Sequence, residues 1–264
     1  MSRRHDHDAG GPRDLLDAKA ALRDEVWSRL EVTGIRRFPG PRNRISNFVG
    51  AEAAAERLRA TVAWGQARTL KANPDSPQWP VRSRALEDGK LVYMAVPRLV
   101  QADPFFLLDP DHLADTPRRA SSINGASASA RTVAVGELEP VDLVVTGCVA
   151  VSRDGTRLGK GGGFSDLEFA IASEAGLIGP HTLVATTVHP RQLLPPAAIP
   201  STAHDIAVDL IVTPDEVVEV PRPGARPPAR IVWDELTDAK LAAIPILQRL
   251  RSNQERDERR AHER

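Results

Sequence analysis

The stretch VDLVVTGCVAVSRDGTRLGKGGGFSDLEFAIA, residues 141–172, decides the fold. It opens on an apolar, β-branched run from Val141 to Val151. That run reads as a strand covered on both faces, because it does not alternate with polar residues. A glycine-rich loop follows, and Asp166 to Ala175 reads as a helix. Strand, glycine loop and helix in that order form the repeating unit of an α/β layered domain with a largely parallel sheet.

Working outward, LVYMAV (91–96), TLVATTV (182–188) and IAVDLIV (206–212) are further strands of the same kind. Before them, residues 14–31 carry Leu15, Leu22, Val26 and Leu30 on one helical face, with Asp14 as N-cap. Residues 51–64 read as a second helix after Gly50, and a Pro- and Arg-rich loop joins the two. Residues 234–250 read as a late helix that Pro245 bends or interrupts. The segment 104–130 has weak periodicity and reads as a long loop with at most a short helical turn. PRPGARPP (221–228) is a connector ahead of a strand-like ARIVW (229–233). The expected organisation is a disordered arm over 1–13, a single α/β domain over 14–250 and a charged tail over 251–264. His5 and His7 fall in the solvated arm.

At 264 residues with 41% apolar content the chain can bury an ordinary core, so fibrous and wholly disordered classes drop out. Lys and Arg total 35, as do Asp and Glu, so no global field recruits nucleic acid or acidic membrane. A local basic site remains open. The single cysteine, Cys148, excludes an internal disulfide framework and a Cys-rich zinc site, and it points to a reducing compartment, taken as the cytoplasm. No stretch reaches the length of apolar residues a membrane span needs.

The glycine loop carries the strongest chemical signal. Gly159, Gly161, Gly162 and Gly163 let the backbone approach a ligand and turn amides toward it, and the following helix N-terminus adds positive potential. Arg157 and Lys160 supply formal charge, which suits a phosphate. The pattern is neither a P-loop nor a dinucleotide fingerprint. A flexible strand-to-helix turn is the plainer alternative, and Asp166 reads equally well as a simple N-cap.

Lys19 and Arg23 point the same way. At about 100° per residue they fall inside the apolar stripe of the first helix, where a charge needs a carboxylate or a bound anion. Snorkelling to the rim is the alternative. In HDIAVDLIVT, His204 and Asp205 precede a strand and Asp209 interrupts it, and Asp205 and Asp209 share one face of an extended chain. Either aspartate, with Asp166, could hold magnesium, although turn capping explains Asp205 as well. His181 and His189 lack metal-ligand spacing and read as structural, and Cys148 reads as an inert core thiol. Lys71, Asp75, Trp79 and Arg82 surround two or three turns and could line a pocket for a planar ring, or simply belong to a surface loop.

KAALR, RLGKGGGFSD and HDIAVDLIVT, in that order, resemble the 5-formyltetrahydrofolate cyclo-ligase (methenyltetrahydrofolate synthetase) family from about Ala18 to Val218. NFVGAEAAAERL, LKANPDSPQWPVR, GKLVYMAVPRL and GCVAVSRDG are closer to its domain-containing branch. The resemblance implies a three-layer α/β/α fold like that of the NagB/RpiA/CoA transferase group. It also implies ATP and Mg2+ as cofactors and a folate as substrate. By that resemblance Lys19, Arg23, Arg157, Gly159, Gly161 and Gly163 contact ATP, and Asp166 and Asp205 bind magnesium. Gly162 and Phe164 complete the expected nucleotide loop, and Arg157 and Lys160 are the expected catalytic cations. The implied reaction transfers the ATP γ-phosphoryl group to the formyl oxygen of 5-formyltetrahydrofolate, after which ring closure gives 5,10-methenyltetrahydrofolate.

One departure stands out. The family usually has Tyr-Tyr-Asp-Arg where this chain has Phe164, Ser165, Asp166 and Leu167. The alternative expectation is therefore a non-catalytic nucleotide-binding or RNA- or protein-interaction module on the same fold. DNA is not an expected partner, RNA is disfavoured by the balanced charge, and the chain is expected as a monomer or dimer.

Overall fold

The computed structural model describes residues 12–202, 205–222 and 224–262. The first eleven residues, with His5 and His7, and also His204, lie outside them. The helices are α1 (Pro12–Val32), α2 (Ala51–Arg59), α3 (Val62–Gln66), α4 (Trp79–Glu87), α5 (Pro117–Ala120), α6 (Ile123–Ser129), α7 (Phe164–Glu174), α8 (Asp238–Ala243) and α9 (Pro245–His262). The strands are β1 (Thr69–Ala72), β2 (Leu91–Ala95), β3 (Phe105–Leu108), β4 (Arg131–Val133), β5 (Leu143–Val145), β6 (Ala150–Ser152), β7 (Arg157–Leu158), β8 (Leu183–Thr187), β9 (Leu193–Leu194), β10 (Leu210–Val212) and β11 (Val217–Glu219).

The main sheet runs β11-β10-β8-β5-β1-β2-β3-β4. Its centre, from β10 to β2, is parallel, while β11 at one edge and β3 and β4 at the other are antiparallel. Alternate residues serve opposite cores. Val144, Val184 and Ile211 face a core shared with Phe169 and Ile171 of α7 and Ile246 and Leu247 of α9. Leu143, Val145, Ala185 and Val212 face the core shared with Leu58 of α2 and Val81 and Ala85 of α4. This is the expected three-layer arrangement, and both-sided coverage explains why the strands read as unbroken apolar runs.

The chain leaves β1 on one side for β2 and lies on the other side at β5, so strand order reverses there. A crevice opens at such a reversal beyond the carboxyl ends of the strands. A smaller sheet, β7-β6-β9, packs beside the main one. Helix α1 lies on it, with Val26, Trp27 and Leu30 against Val149, Ala150, Leu158 and Leu194. No helix among the described residues is long and apolar enough to cross a membrane.

Several elements differ from the sequence expectation. The run 141–151 is two strands, β5 and β6, because Thr146 and Gly147 turn the chain out of the sheet. Residues 51–64 divide into α2 and α3, since Thr61 caps a new helix by accepting from the Trp64 amide. The segment 104–130 is no loop: it holds β3, α5 and α6, and Phe105, Phe106 and Leu108 are buried there. ARIVW forms no strand but leads into a 3-10 turn at Trp233–Glu235. Pro245 does break the late helix, and it opens α9, which carries the helix through the charged tail to His262.

Among the strands not read in advance, β1 lies at the centre of the sheet. Its four residues include Lys71, only 2% exposed. Lys71 Nζ lies 2.5 Å from Glu168 Oε2 on α7, and Asn73 Nδ2 donates to the same oxygen at 2.9 Å. Burial pushes the Glu168 carboxyl up while the ammonium pulls it down. Removing one partner of such a pair strands the other in low dielectric, whereas replacing both with apolar groups costs far less. Lys71→Met should therefore lower unfolding free energy by about 3–5 kcal/mol. Lys71→Met combined with Glu168→Leu should recover most of it, as measured by urea denaturation.

Candidate functional site: a glycine loop bracketed by cations

The loop is prepared by the hairpin β6–β7. Gly155 in its turn adopts φ +87°, and a Cβ there would stand 2.5 Å from the Val208 carbonyl. Asp154 ties the turn together, accepting from Ser152 Oγ, from the Thr156 amide at 3.1 Å and from the Ala197 amide at 2.5 Å. Burial alone would raise its carboxyl, but these donors bring it down to about 2. The loop itself runs from Gly159 to Gly163. Gly161 (φ +101°) and Gly163 (φ +66°) are left-handed, which a side chain resists. Gly163 occupies the N-cap position of α7, so the first amides of that helix open onto the loop.

Four of the expected cations converge here from distant parts of the chain. Arg23 Nε donates to the Gly159 carbonyl at 2.7 Å, and its guanidinium carbon lies 3.6 Å from where a Gly161 Cβ would project. Burial holds its pKa below the usual arginine range, with Asp205 and Asp24 opposing that fall. Lys19 Nζ pairs with Asp205 Oδ2 at 2.6 Å. Arg157 pairs with Asp166 Oδ1 and donates from Nε to the Ile206 carbonyl at 3.2 Å. Lys160 Nζ pairs with Asp75 Oδ1 at 3.1 Å. The charges in the apolar stripe of α1 are thus neither snorkelling nor orphaned. They reach carboxylate and carbonyl partners across the loop.

Asp166 faces Arg157 and Asp205 faces Lys19, so each carboxylate already meets a cation. Asp209 does not share that position. It lies at the amino end of β10, where Oδ2 accepts from the Val184 amide at 2.8 Å and from Arg226 at 2.8 Å. Among the described residues no group of three or more His, Cys, Asp or Glu gathers as a metal cage. Asp166 and Asp205 are oxygen donors of the kind magnesium takes, since it uses one or two carboxylates and fills the rest of its shell with water or other oxygens.

The remaining candidates are structural. Cys148 is buried and its thiol is pushed up to about 11 by burial. His189 caps the 3-10 turn Pro190–Gln192, Nδ1 accepting from the Arg191 amide at 3.1 Å. Trp79 does not face a free pocket: its indole donates to the Arg118 carbonyl at 2.8 Å and the Arg118 guanidinium covers its ring. Arg82 is wholly buried and donates to the carbonyls of Asn73, Asp75 and Ser121, with burial lowering it to about 10. Of the group around 69–82, Asp75 alone reaches the loop, through Lys160.

Two groups at the loop escaped sequence reasoning. Ser165 accepts from Asn73 Nδ2 at 3.2 Å, linking the first turn of α7 to the end of β1. Lys240 of α8 places Nζ 3.3 Å from where a Gly163 Cβ would project and 5.8 Å from the centre of the Phe164 ring. Nothing in a sequence separation of this size signals such a contact.

The fold and this site define an α/β protein with a glycine loop, bracketed by cations, ahead of a helix. The model of the 5-formyltetrahydrofolate cyclo-ligase family matches residues 13–214, and the chain belongs to that family. It is 37% identical over 245 residues to the methenyltetrahydrofolate synthase domain-containing protein of Bos taurus, covering 90% of this chain and 63% of that protein. The Mus musculus protein of the same name is 37% identical over 243 residues, covering 90% and 64%. The chain thus spans a little under two thirds of the length of these relatives. The NMR structure of Aquifex aeolicus 5,10-methenyltetrahydrofolate synthetase superposes with a TM-score of 0.51 at 20% identity, over 79% of this chain and 96% of that one. That likeness is one of fold. Helices α8 and α9 follow the segment matched by the family model.

Two outcomes test this geometry. Asp154 has a depressed pKa, so its contribution to stability is present above the unfolded value of about 3.9 and is lost as pH falls toward about 2. The gap in Tm between wild type and Asp154→Ala should therefore narrow steadily from pH 5 to pH 2. Gly161→Ala forces a side chain into left-handed backbone and should cost about 1 kcal/mol or more in urea denaturation.

Proposed function

We propose that the chain binds ATP with Mg2+ at the glycine loop and converts 5-formyltetrahydrofolate to 5,10-methenyltetrahydrofolate, releasing ADP and phosphate. One observation carries this reading. From the first helix Lys19 meets Asp205 across 186 residues and Arg23 meets the loop at the Gly159 carbonyl across 136. Family membership supplies the reaction class.

In this reading the loop amides, Arg157 and Lys160 hold the phosphates, and Lys19 and Arg23 close over them. Phosphoryl transfer needs little covalent help from protein, so positioning and charge neutralisation carry most of the catalysis. Asp166 and Asp205 would hold the magnesium ion, which neutralises phosphate charge when bound. On binding, Lys19 and Arg157 would exchange carboxylate for phosphate partners, leaving Asp166 and Asp205 as the residues that would hold the metal. The formyl oxygen attacks the γ-phosphorus and displaces ADP; N10 then attacks the activated carbon, gives up its proton and expels phosphate, closing the ring.

The substitutions at 164–167 bear on this proposal. Ser165 is committed to Asn73 and Leu167 is buried in the main core, so neither supplies a phenol or guanidinium to the phosphates. The single buried thiol suits a reducing compartment, and the cytoplasm is the compartment proposed.

The test is calorimetric titration with a non-hydrolysable ATP analogue and magnesium, with and without 5-formyltetrahydrofolate, followed by an absorbance assay for methenyltetrahydrofolate. Arg157→Ala removes a charge-assisted contact and should weaken nucleotide binding by about 10–100-fold. Nucleotide binding without folate binding would retain the pocket and overturn the substrate. Binding of neither would overturn the whole reading.

A further inference from the structure

The glycine loop has a neighbour that belongs to no loop motif. Lys240 sits on α8, a helix whose first turn is capped by Thr237 Oγ1, which accepts the Lys240 amide at 3.2 Å. The helix is not free to drift. Leu241 packs against the main core, and Ile244, Ile246 and Leu247 just beyond it are fully buried there. This anchoring brings the half-buried Lys240 side chain over the N-terminus of α7. Its ammonium lies beside left-handed Gly163 and over the face of Phe164.

The charge balance makes the position informative. Lys19, Arg157 and Lys160 each meet a carboxylate at the loop. Lys240 has no carboxylate within ion-pair distance among the described residues, and an aromatic face replaces part of its hydration. An unpaired, partly desolvated ammonium beside the opening amides of an eleven-residue helix adds positive potential where the potential is already positive. An anion at the loop would complete that arrangement. Arg23 flanks the other limb of the loop, so cations from two ends of the chain bracket it.

We propose that Lys240 is a phosphate-binding residue of the glycine-loop site, engaging the phosphate held at the Gly163 end of the loop. The inference rests on the nucleotide reading of that loop and extends it to a helix beyond the family-matched segment. The ligand class is a polyphosphate, free or as part of a nucleotide. Gly163 is then required twice, for its backbone and because a Cβ would crowd the ammonium.

The experiment titrates full-length wild type, Lys240→Ala, Lys240→Arg and Arg251→Ala with inorganic tripolyphosphate plus magnesium, and then with the non-hydrolysable ATP analogue. Lys240→Ala should weaken both by about ten-fold, the size of one lost charge-assisted contact. Lys240→Arg should stay within a few-fold of wild type, and Arg251→Ala, on the exposed face of α9, should match it. Ligand-free Tm should not move. A second measurement needs no variant: acetylation of Lys240 by a water-soluble ester, read by peptide mass spectrometry, should slow when tripolyphosphate is present. If wild type binds while Lys240→Ala binds equally well and acetylation is unprotected, this inference is overturned and the loop reading stands. If wild type binds no polyphosphate at all, both fall together.

Discussion

A buried ammonium on β1 and a buried carboxylate on α7, joined by an amide from Asn73, hold the molecule to one arrangement. Two charges this deep persist only in close contact, so α7 cannot slide along the sheet without exposing one of them to an apolar surround. The same Asn73 reaches Ser165 on α7 and, through Oδ1, accepts the Gly147 amide at 3.4 Å beyond the end of β5. One polar knot thus ties β1, β5 and the helix at the point where strand order reverses. Everything at the glycine loop inherits its position from that knot, because the loop ends where α7 begins.

With the helix set, the loop is shaped from both sides. The β6–β7 turn, pinned by Asp154, delivers Arg157 from a buried strand, and α1 lies across the small sheet so that its apolar stripe brings Lys19 and Arg23 to the loop. In the folded chain Lys19 is neutralised by Asp205, Arg157 by Asp166 and Lys160 by Asp75, while Arg23 donates to the Gly159 carbonyl. Such matching makes a charged site compatible with a stable fold. It also means that an anion displacing these carboxylates would leave them without their cations. Lys240 stands outside this matching, which is why its placement carries weight of its own.

Legibility in the sequence followed the length and purity of each signal. The strands at 182–188 and 206–212 showed as apolar, β-branched runs, although the second contributes only Leu210–Val212 to the sheet. Central strand β1 did not show, because four residues with a lysine in the middle look like a surface turn until a carboxylate partner is supplied from α7. Phe105, Phe106 and Leu108 were obscured by the prolines and serines around them, and their edge strand is defined by pairing with β2 rather than by local preference. At the site, the glycines and Arg157 were legible as a local motif, and Lys19 and Arg23 as charges where a helix should be apolar. Asp75, Ser165 and Lys240 were not, since each acquires its role from a partner far along the chain.

The sequence by itself determined the layered α/β class, the order of its longest apolar strands and helices, and the glycine loop with its flanking cations. These depend on periodicity, backbone freedom at glycine and charge misplaced on an apolar face, all of which are local. Tertiary structure decided which carboxylate meets which cation. Asp205 and Asp209 are equivalent on an extended strand, yet the first turns to Lys19 at the loop while the second pairs with Arg226 at the amino end of β10. It also decided that a lysine near the end of the chain overlies a glycine far upstream. Coulombic pairing acts through space and is indifferent to separation along the chain, so these choices exist only once the cores of α1, α7 and α9 have packed.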